Sequence, residues 1–403
     1  SNETENKFRF DVTNNIRDWK ITYGTVAQYV QFENSFFQLL RPELRDDQGN
    51  IIQSQQVINN NTTKNFLRYG AFIQAGKRFF NDRMSLSGGV RIDANSLENS
   101  ETNPLKQVSP RLSISYALAP KWNVSSSYGI YYRLLSYTQL AYTNTVGFNA
   151  SNPGEYIRSN HFVAGVEYLP SITTRFTIEG FYKKYGNYPV SIFDGISLAN
   201  KGTEFGAIGN ESVDQNGIGR AFGLEFFAQQ KLTNRLFGVF TGTNGKYAPA
   251  SWDNRHLISI TTGYKLNRNW ELGLKFRYQG AAPYTPFDLI ESQRNYLTLG
   301  TGIFNFNQVN TLRLEAFHAA DIRIDKKWNF KRFTIDLFFD IQNFYGSKSA
   351  GGQQYTFKRN ESNTAFVTTD NQPINQNGSN AIPFILENRE GNILPSLGLI
   401  LEF

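Results

Sequence analysis

The chain has 403 residues, a net charge of +7, 15% aromatic residues and no Cys, while its mean hydropathy is only -0.44. Without Cys there is no disulfide framework, no thiolate metal site and no Cys nucleophile. The Lys and Arg are scattered, which speaks against a nucleic-acid surface, and no apolar run approaches the roughly 20 residues of a transmembrane helix.

Period-2 alternation fills the chain from its start and predicts fifteen strands, at 6–14, 18–33, 66–80, 83–94, 107–118, 121–133, 160–169, 173–187, 219–230, 234–241, 254–266, 269–279, 319–328, 331–345 and 394–403. In "WNVSSSYGIYYR", Trp122, Val124, Tyr128, Ile130 and Tyr132 share one face and Asn123, Ser125, Ser127 and Arg133 the other. "RFTIEGFYKKY" sets Phe176, Ile178 and Tyr182 against Arg175, Glu179 and Lys183. "NWELGLKFRYQG" sets Trp270, Leu272, Leu274, Phe276 and Tyr278 against Glu271, Lys275, Arg277 and Gln279. Glu225, Asp336 and Asp340 fall on the polar faces of "AFGLEFFAQQ" and "RFTIDLFFDIQNF". Strands of this length, aromatic on one side and charged on the other, fit a lipid-facing band around a wet lumen. The expected architecture is all-β, a transmembrane antiparallel up-and-down barrel.

The connections alternate as well. Tight turns near 14–18, 81–82, 119–120, 170–172, 232–233, 267–268 and 329–330 interleave with long Asn/Gly/Ser-rich segments at 35–65, 96–106, 134–158, 188–218, 281–318 and 346–392, the pattern of short periplasmic turns and long extracellular loops. The strand at 234–241 reads as short for its partner, as though residues were missing between Phe240 and Thr241. An odd strand count is irregular for a single-chain bacterial barrel. It is reconciled if the chain is the C-terminal part of a 22-stranded one, or if a sixteenth strand hides in "SFFQLL" or "IIQSQQVI".

Four stretches then carry a resemblance. "SPRLSISYALAPKWNVSSSYGIYYR", "YAPASWDNRHLISITTGYKL", "DIRIDKKWNFKRFTIDLFFDIQNFY" and the closing "PSLGLILEF" resemble strands of TonB-dependent outer-membrane transporters, and the Asn- and Tyr-rich loops resemble members from Bacteroidota. The resemblance implies an outer membrane of a Gram-negative bacterium and uptake of a substrate too large or scarce for porins, of the siderophore, glycan, peptide or cobalamin class. It also implies a plug domain and a TonB box upstream, TonB as partner, Phe403 as a signal to the barrel-assembly machinery, contact with outer-membrane lipid, and a surface lipoprotein as a further partner. No secretory leader is visible at Ser1. Passive 16-stranded porin and outer-membrane scaffold or adhesion barrel are the alternatives.

No enzyme is expected. His161, His256 and His318 lack metal-ligand spacing, and Asp253, Arg255 and His256 have no Ser on an elbow, so catalytic, cofactor and metal sites are all expected to be none. The polar-face charges, among them Arg133, Lys183, Glu225, Lys275, Arg277, Asp336 and Asp340, read mainly as lumen ion pairs. Tyr142, Tyr156, Trp252, Arg255, Tyr284 and Tyr355, in the loops and upper lumen, are the candidates for substrate contact.

Overall fold

The protein is described from a computed structural model covering 403 residues except 46–47, 98–99, 101, 144–153, 202–208, 234 and 248–249, together with the side chains of 244–247. Fifteen strands form one antiparallel sheet in which each pairs with its neighbours in sequence. They are β1 (Asn2–Ile16), β2 (Trp19–Arg41), β3 (Gln56–Phe79), β4 (Met84–Asn95), β5 (Ser109–Ala119), β6 (Trp122–Arg133), β7 (Ile157–Ser171), β8 (Thr174–Ser191), β9 (Val213–Thr233), β10 (Leu236–Tyr247), β11 (His256–Lys265), β12 (Trp270–Gln279), β13 (Phe317–Asn329), β14 (Thr334–Gln342) and β15 (Leu394–Glu402). All fifteen expected strands are present.

Register fixes which side chains share a face. Ile258 faces Tyr278, Ile260 faces Phe276 and Thr262 faces Leu274 across β11 and β12. The series continues as Leu274 with Ile322 and Leu272 with Ile324, then Ile324 with Phe339 and Phe339 with Leu397. This face stays uncovered: Ile178, Leu224, Phe339 and Leu399 are 56%, 62%, 44% and 59% exposed. A soluble sheet would bury such a surface, because exposed apolar patches larger than a few hundred Å² are rare on soluble monomers. A membrane wall leaves it to lipid.

The opposite face is polar and held by aromatics and ion pairs. Gly398 on β15 lies beneath the Phe338 ring of β14, and a Cβ there would overlap the ring. The Arg323 guanidinium of β13 covers the same ring at 3.8 Å. Arginine, phenylalanine and glycine thus stack across three strands, an aromatic filling the gap the glycine leaves.

At the short-turn end the chain reverses within two to four residues. Left-handed backbone appears there at Arg17, Asn81, Asp82, Arg268 and Asn269, and Asn and Asp are among the residues that tolerate it best. Four of the five Trp sit at this end: Trp19, Trp122, Trp270 and Trp328, 40–45% exposed, beside Phe330 at 53%. They form the aromatic girdle expected where a barrel meets an interface.

The loop end departs from expectation. The segment 35–65 is mostly strand, since β2 and β3 stay paired out to Arg41 and Gln56. Neither "SFFQLL" nor "IIQSQQVI" makes a sixteenth strand; both prolong or cap this ribbon, with a small pairing of Leu44–Arg45 against Ile51–Gln53 at the tip. Polar residues such as Asn59 and Asn60 hide the continuation in the sequence, but the ladder needs only backbone groups. β10 likewise runs to Tyr247 rather than stopping at 241. Its register against β9 passes through Phe240 and Thr241 without a break, although Thr241–Asn244 shows no apolar alternation; the expected start at residue 234 lies outside the described residues.

Candidate functional site: the loop layer and the charged lumen face

Two apolar clusters organise the loops. The first gathers Leu134, Leu135, Leu140 and Tyr156 over Val30 and Phe66 of the β2–β3 ribbon. At its edge, Tyr137 donates to Glu5 Oε1 at 2.6 Å and accepts from Arg68 at 2.7 Å. Burial, reinforced by the bond to Glu5, pushes the Tyr137 phenol up to about 12. A buried amide set continues this floor: Asn34 donates to Asn210 at 2.6 Å and Thr143 to Asn60 at 3.2 Å.

The second cluster packs Phe287, Tyr355, Phe357 and Ala381 against Tyr296, Phe304, Phe366 and Ile374. Its centre is α1 (Leu289–Leu299), capped by the Asp288 side chain on the amides of Ile290 and Glu291 and closed by Gly300 at φ 68°. The helix was not expected, although Asp288 three residues before Glu291 and Gly300 after Leu299 are start and stop signals. It ties three loops together. Asn295, fully buried, accepts from Gln53 of the ribbon tip at 2.6 Å. Gln293 donates to the carbonyls of Gly378 and Ala381 at 2.9 and 3.0 Å, and Tyr296 shares a 2.9 Å bond with Thr356. The hairpin Ser349–Phe357 with Pro383–Glu390, also unexpected, frames this cluster.

The substrate-contact candidates separate into two groups. Tyr142, Tyr156 and Tyr355 are 9%, 5% and 3% exposed and act as packing groups in this conformation. Burial raises the Tyr156 phenol and takes that of Tyr355 to about 12. Trp252 and Arg255 instead flank Asp253, which Arg313 ties to the segment that carries Tyr284. Arg313 donates to the Asp253 carboxylate at 2.6 Å and to the carbonyls of Asp253 and Ala281 at 2.8 and 2.7 Å, while the Pro283–Tyr284 strand pairs with Leu312–Arg313. Arg313 so ties Asp253, between Trp252 and Arg255, to the 281–284 segment. Trp252 is 63% exposed, the Arg255 side chain 58%, and Tyr284 is half-buried.

On the lumen face some charges are paired and others are not. Arg277 binds Asp321 at 3.0 Å, Asp336 binds Lys327 at 3.2 Å, and Arg323 binds Asp325 at 2.6 Å. Arg133, Lys183, Glu225, Lys275 and Asp340 have no ion pair within 4.0 Å among the described residues. Glu225 stands opposite Glu179 in register, Lys275 opposite Asp321, Asp340 opposite Arg323, and Lys183 lies over the Phe181 ring at 5.2 Å. Arg277 Nε, Asp336 Oδ1 and Thr177 Oγ1 are enclosed without a partner. Phe403 lies one residue beyond β15 and is 99% exposed.

Residues 1–344 match the family model described as TonB dependent receptor-like, beta-barrel. The chain belongs to that family. The receptor barrel is also similar in fold to solved receptors of low sequence identity. A mutant form of the ferric enterobactin receptor of Pseudomonas aeruginosa aligns at 13% identity and TM-score 0.58, over 86% of this chain and 49% of that one. The ferric yersiniabactin uptake receptor FyuA of Yersinia pestis aligns at 12% and 0.58, over 100% and 54%. The closed form of the ferric-catecholate import receptor Fiu of E. coli K12 aligns at 14% and 0.57, over 99% and 54%. The receptor barrel thus spans about half the length of these structures. No curated relative matches it at the sequence level.

Proposed function

We propose that this chain is the C-terminal part of a 22-stranded outer-membrane transporter barrel, energised through TonB acting on a plug encoded upstream. It takes up a substrate too large or scarce for porins, in the siderophore, glycan, peptide or cobalamin class. The observation that carries the reading is the pairing of an uncovered apolar wall with a lumen face whose charges are incompletely satisfied. The exposed lumen charges without an ion pair among the described residues, Arg133, Glu225 and Lys275, are the positions at which a polar plug surface supplies counter-charges; Glu225 stands opposite a second carboxylate, Glu179. The Trp252–Arg255–Tyr284 corner is the substrate-contact surface this reading favours, with an aromatic face and a cation presented together. A Bacteroidota source and a surface lipoprotein partner accord with the loop composition and belong to the same proposal.

The test is uptake by cells expressing the full-length receptor, with and without TonB, alongside conductance of the purified protein in planar bilayers. The transporter reading expects TonB-dependent uptake, closed bilayers, and at least about tenfold weaker ligand binding in the double variant Trp252→Ala/Arg255→Ala. Steady open-pore conductance and TonB-independent flux would establish a passive channel instead.

A further inference from the structure

The lipid-facing side carries a group of cations that neither the lumen nor the loop layer uses. On β8 the outward residues climb from Phe176 through Ile178 to Tyr182, 37%, 56% and 45% exposed, and the next outward position is Lys184. Lys184 stands directly opposite Arg220 of β9 and opposite Asn160 of β7. Arg158, two residues along the same face of β7, donates to Asn160 at 3.2 Å and stands opposite Tyr132 of β6. Lys184, Arg220 and Arg158 are all exposed. None has an ion pair among the described residues, and the carboxylate further up β9, that of Asp214, accepts from Asn216 at 2.7 Å.

Two physical points make this arrangement informative. Like charges directly opposed across an antiparallel pair are destabilising, so the Lys184–Arg220 juxtaposition needs a counter-charge that the described residues do not provide. Height supplies the second. From Thr174 at the turn to Lys184 is ten residues, about 33 Å of strand at roughly 3.3 Å per residue. A tilt of about 40° reduces that to about 25 Å, the height of the apolar band of such barrels. The cations therefore stand where acyl chains give way to headgroups on the loop side. On β11, β12 and β13 the outward residues Ile258, Tyr278 and His318, paired in register, bring no Lys or Arg to the corresponding level.

We infer that Arg158, Lys184 and Arg220 form a binding site for the phosphate groups of an outer-leaflet lipid headgroup, with the exposed Tyr182 ring beside them against the first acyl carbons. The inference rests on the membrane orientation proposed above. Arg gives planar, two-pronged recognition of phosphate and Lys a point charge. Three adjacent strands at roughly 4.8 Å spacing spread these donors over about 10 Å, the width of one phosphorylated headgroup rather than of one free ion.

The experiment uses the full-length receptor in nonionic detergent, titrated with bis-phosphorylated lipid A or with its dephosphorylated form and read by native mass spectrometry. Wild type is expected to hold one lipid A per barrel, at least about tenfold more tightly than the dephosphorylated form. The triple variant Arg158→Gln/Lys184→Gln/Arg220→Gln loses that preference while keeping its heat-modifiable migration on gels. Lys184→Gln alone, which relieves the opposed charges, should raise the denaturation temperature in lipid-free detergent and yet bind lipid A about threefold more weakly. A packing role does not produce those opposite signs. Unchanged preference in Lys184→Gln and the triple variant overturns the site, as does displacement of the lipid by millimolar inorganic phosphate. Fractionation of the wild-type receptor away from outer membranes would instead overturn the orientation beneath it.

Discussion

The wall and the loop layer use the same apolar side chains in opposite ways. Along β8 and β9, Ile178, Tyr182, Phe222 and Leu224 point outward and stay uncovered. In the loops, Phe357 and Tyr355 are 1% and 3% exposed inside an aromatic cluster. The wall meets hydrocarbon and needs only satisfied backbone groups, which the ladder provides; the loops meet water and must build a small core of their own. Hydrophobic burial therefore stabilises the loop layer, while strand pairing and the membrane stabilise the wall.

Several substitutions can break or sharpen this contrast. Phe357→Ala should cost the loop cluster about 3–5 kcal/mol, as large-to-small changes in a packed core do. Limited proteolysis within 343–393 should accelerate sharply, while the heat-modifiable migration of the barrel stays as it was; an unchanged cleavage rate would remove the loop core. Leu274→Arg, at the middle of β12 and facing lipid, should cost about 2–4 kcal/mol near the bilayer midplane, measured by denaturant titration of the full-length receptor in vesicles. The neighbouring Lys275, on the lumen face, should accept Gln with a much smaller effect, and equal costs at the two positions would contradict the assigned faces.

The smallest effect comes with pH. Tyr137 and Tyr355 are raised from 10.0 to about 12, chiefly by burial. A phenol whose folded-state value is raised contributes stability that is complete below its unfolded value of about 10 and disappears as pH rises to about 12. Absorbance at the phenolate band should show these two ionising well above the ordinary phenol value. Single Phe replacements identify them, and loop protection should fall through the same window. Early ionisation of both would mean that the clusters are open in solution.

Much of the wall was legible because its signal is local and repeats every two residues. Trp270, Leu272 and Leu274 declare a face without knowledge of any partner strand. The ribbon of Asn34–Arg41 with Gln56–Thr62 was not legible, because its pairing is imposed by the registered strand below rather than by its own pattern. α1 had terminal signals in Asp288 and Gly300, but only eleven residues and a weak apolar stripe, and it is anchored by distant residues such as Gln53 and Gly378. The candidate site was legible in kind rather than in detail. Exposed Trp252 and Arg255 look no different in sequence from Tyr355, and only the packing of 346–392 against α1 separates them.

The turn-end girdle has an optical consequence. Four of the five Trp stand at one interface, and Trp252 stands at the far end of the molecule. The emission of this chain's own Trp is therefore dominated by a single depth in the bilayer, that of the shorter connections. Lipids brominated near the headgroup should extinguish most of it, whereas aqueous iodide reaches chiefly the contribution of Trp252. Quenching of that minor component by an added solute reports occupancy at the loop corner against a background fixed by the membrane.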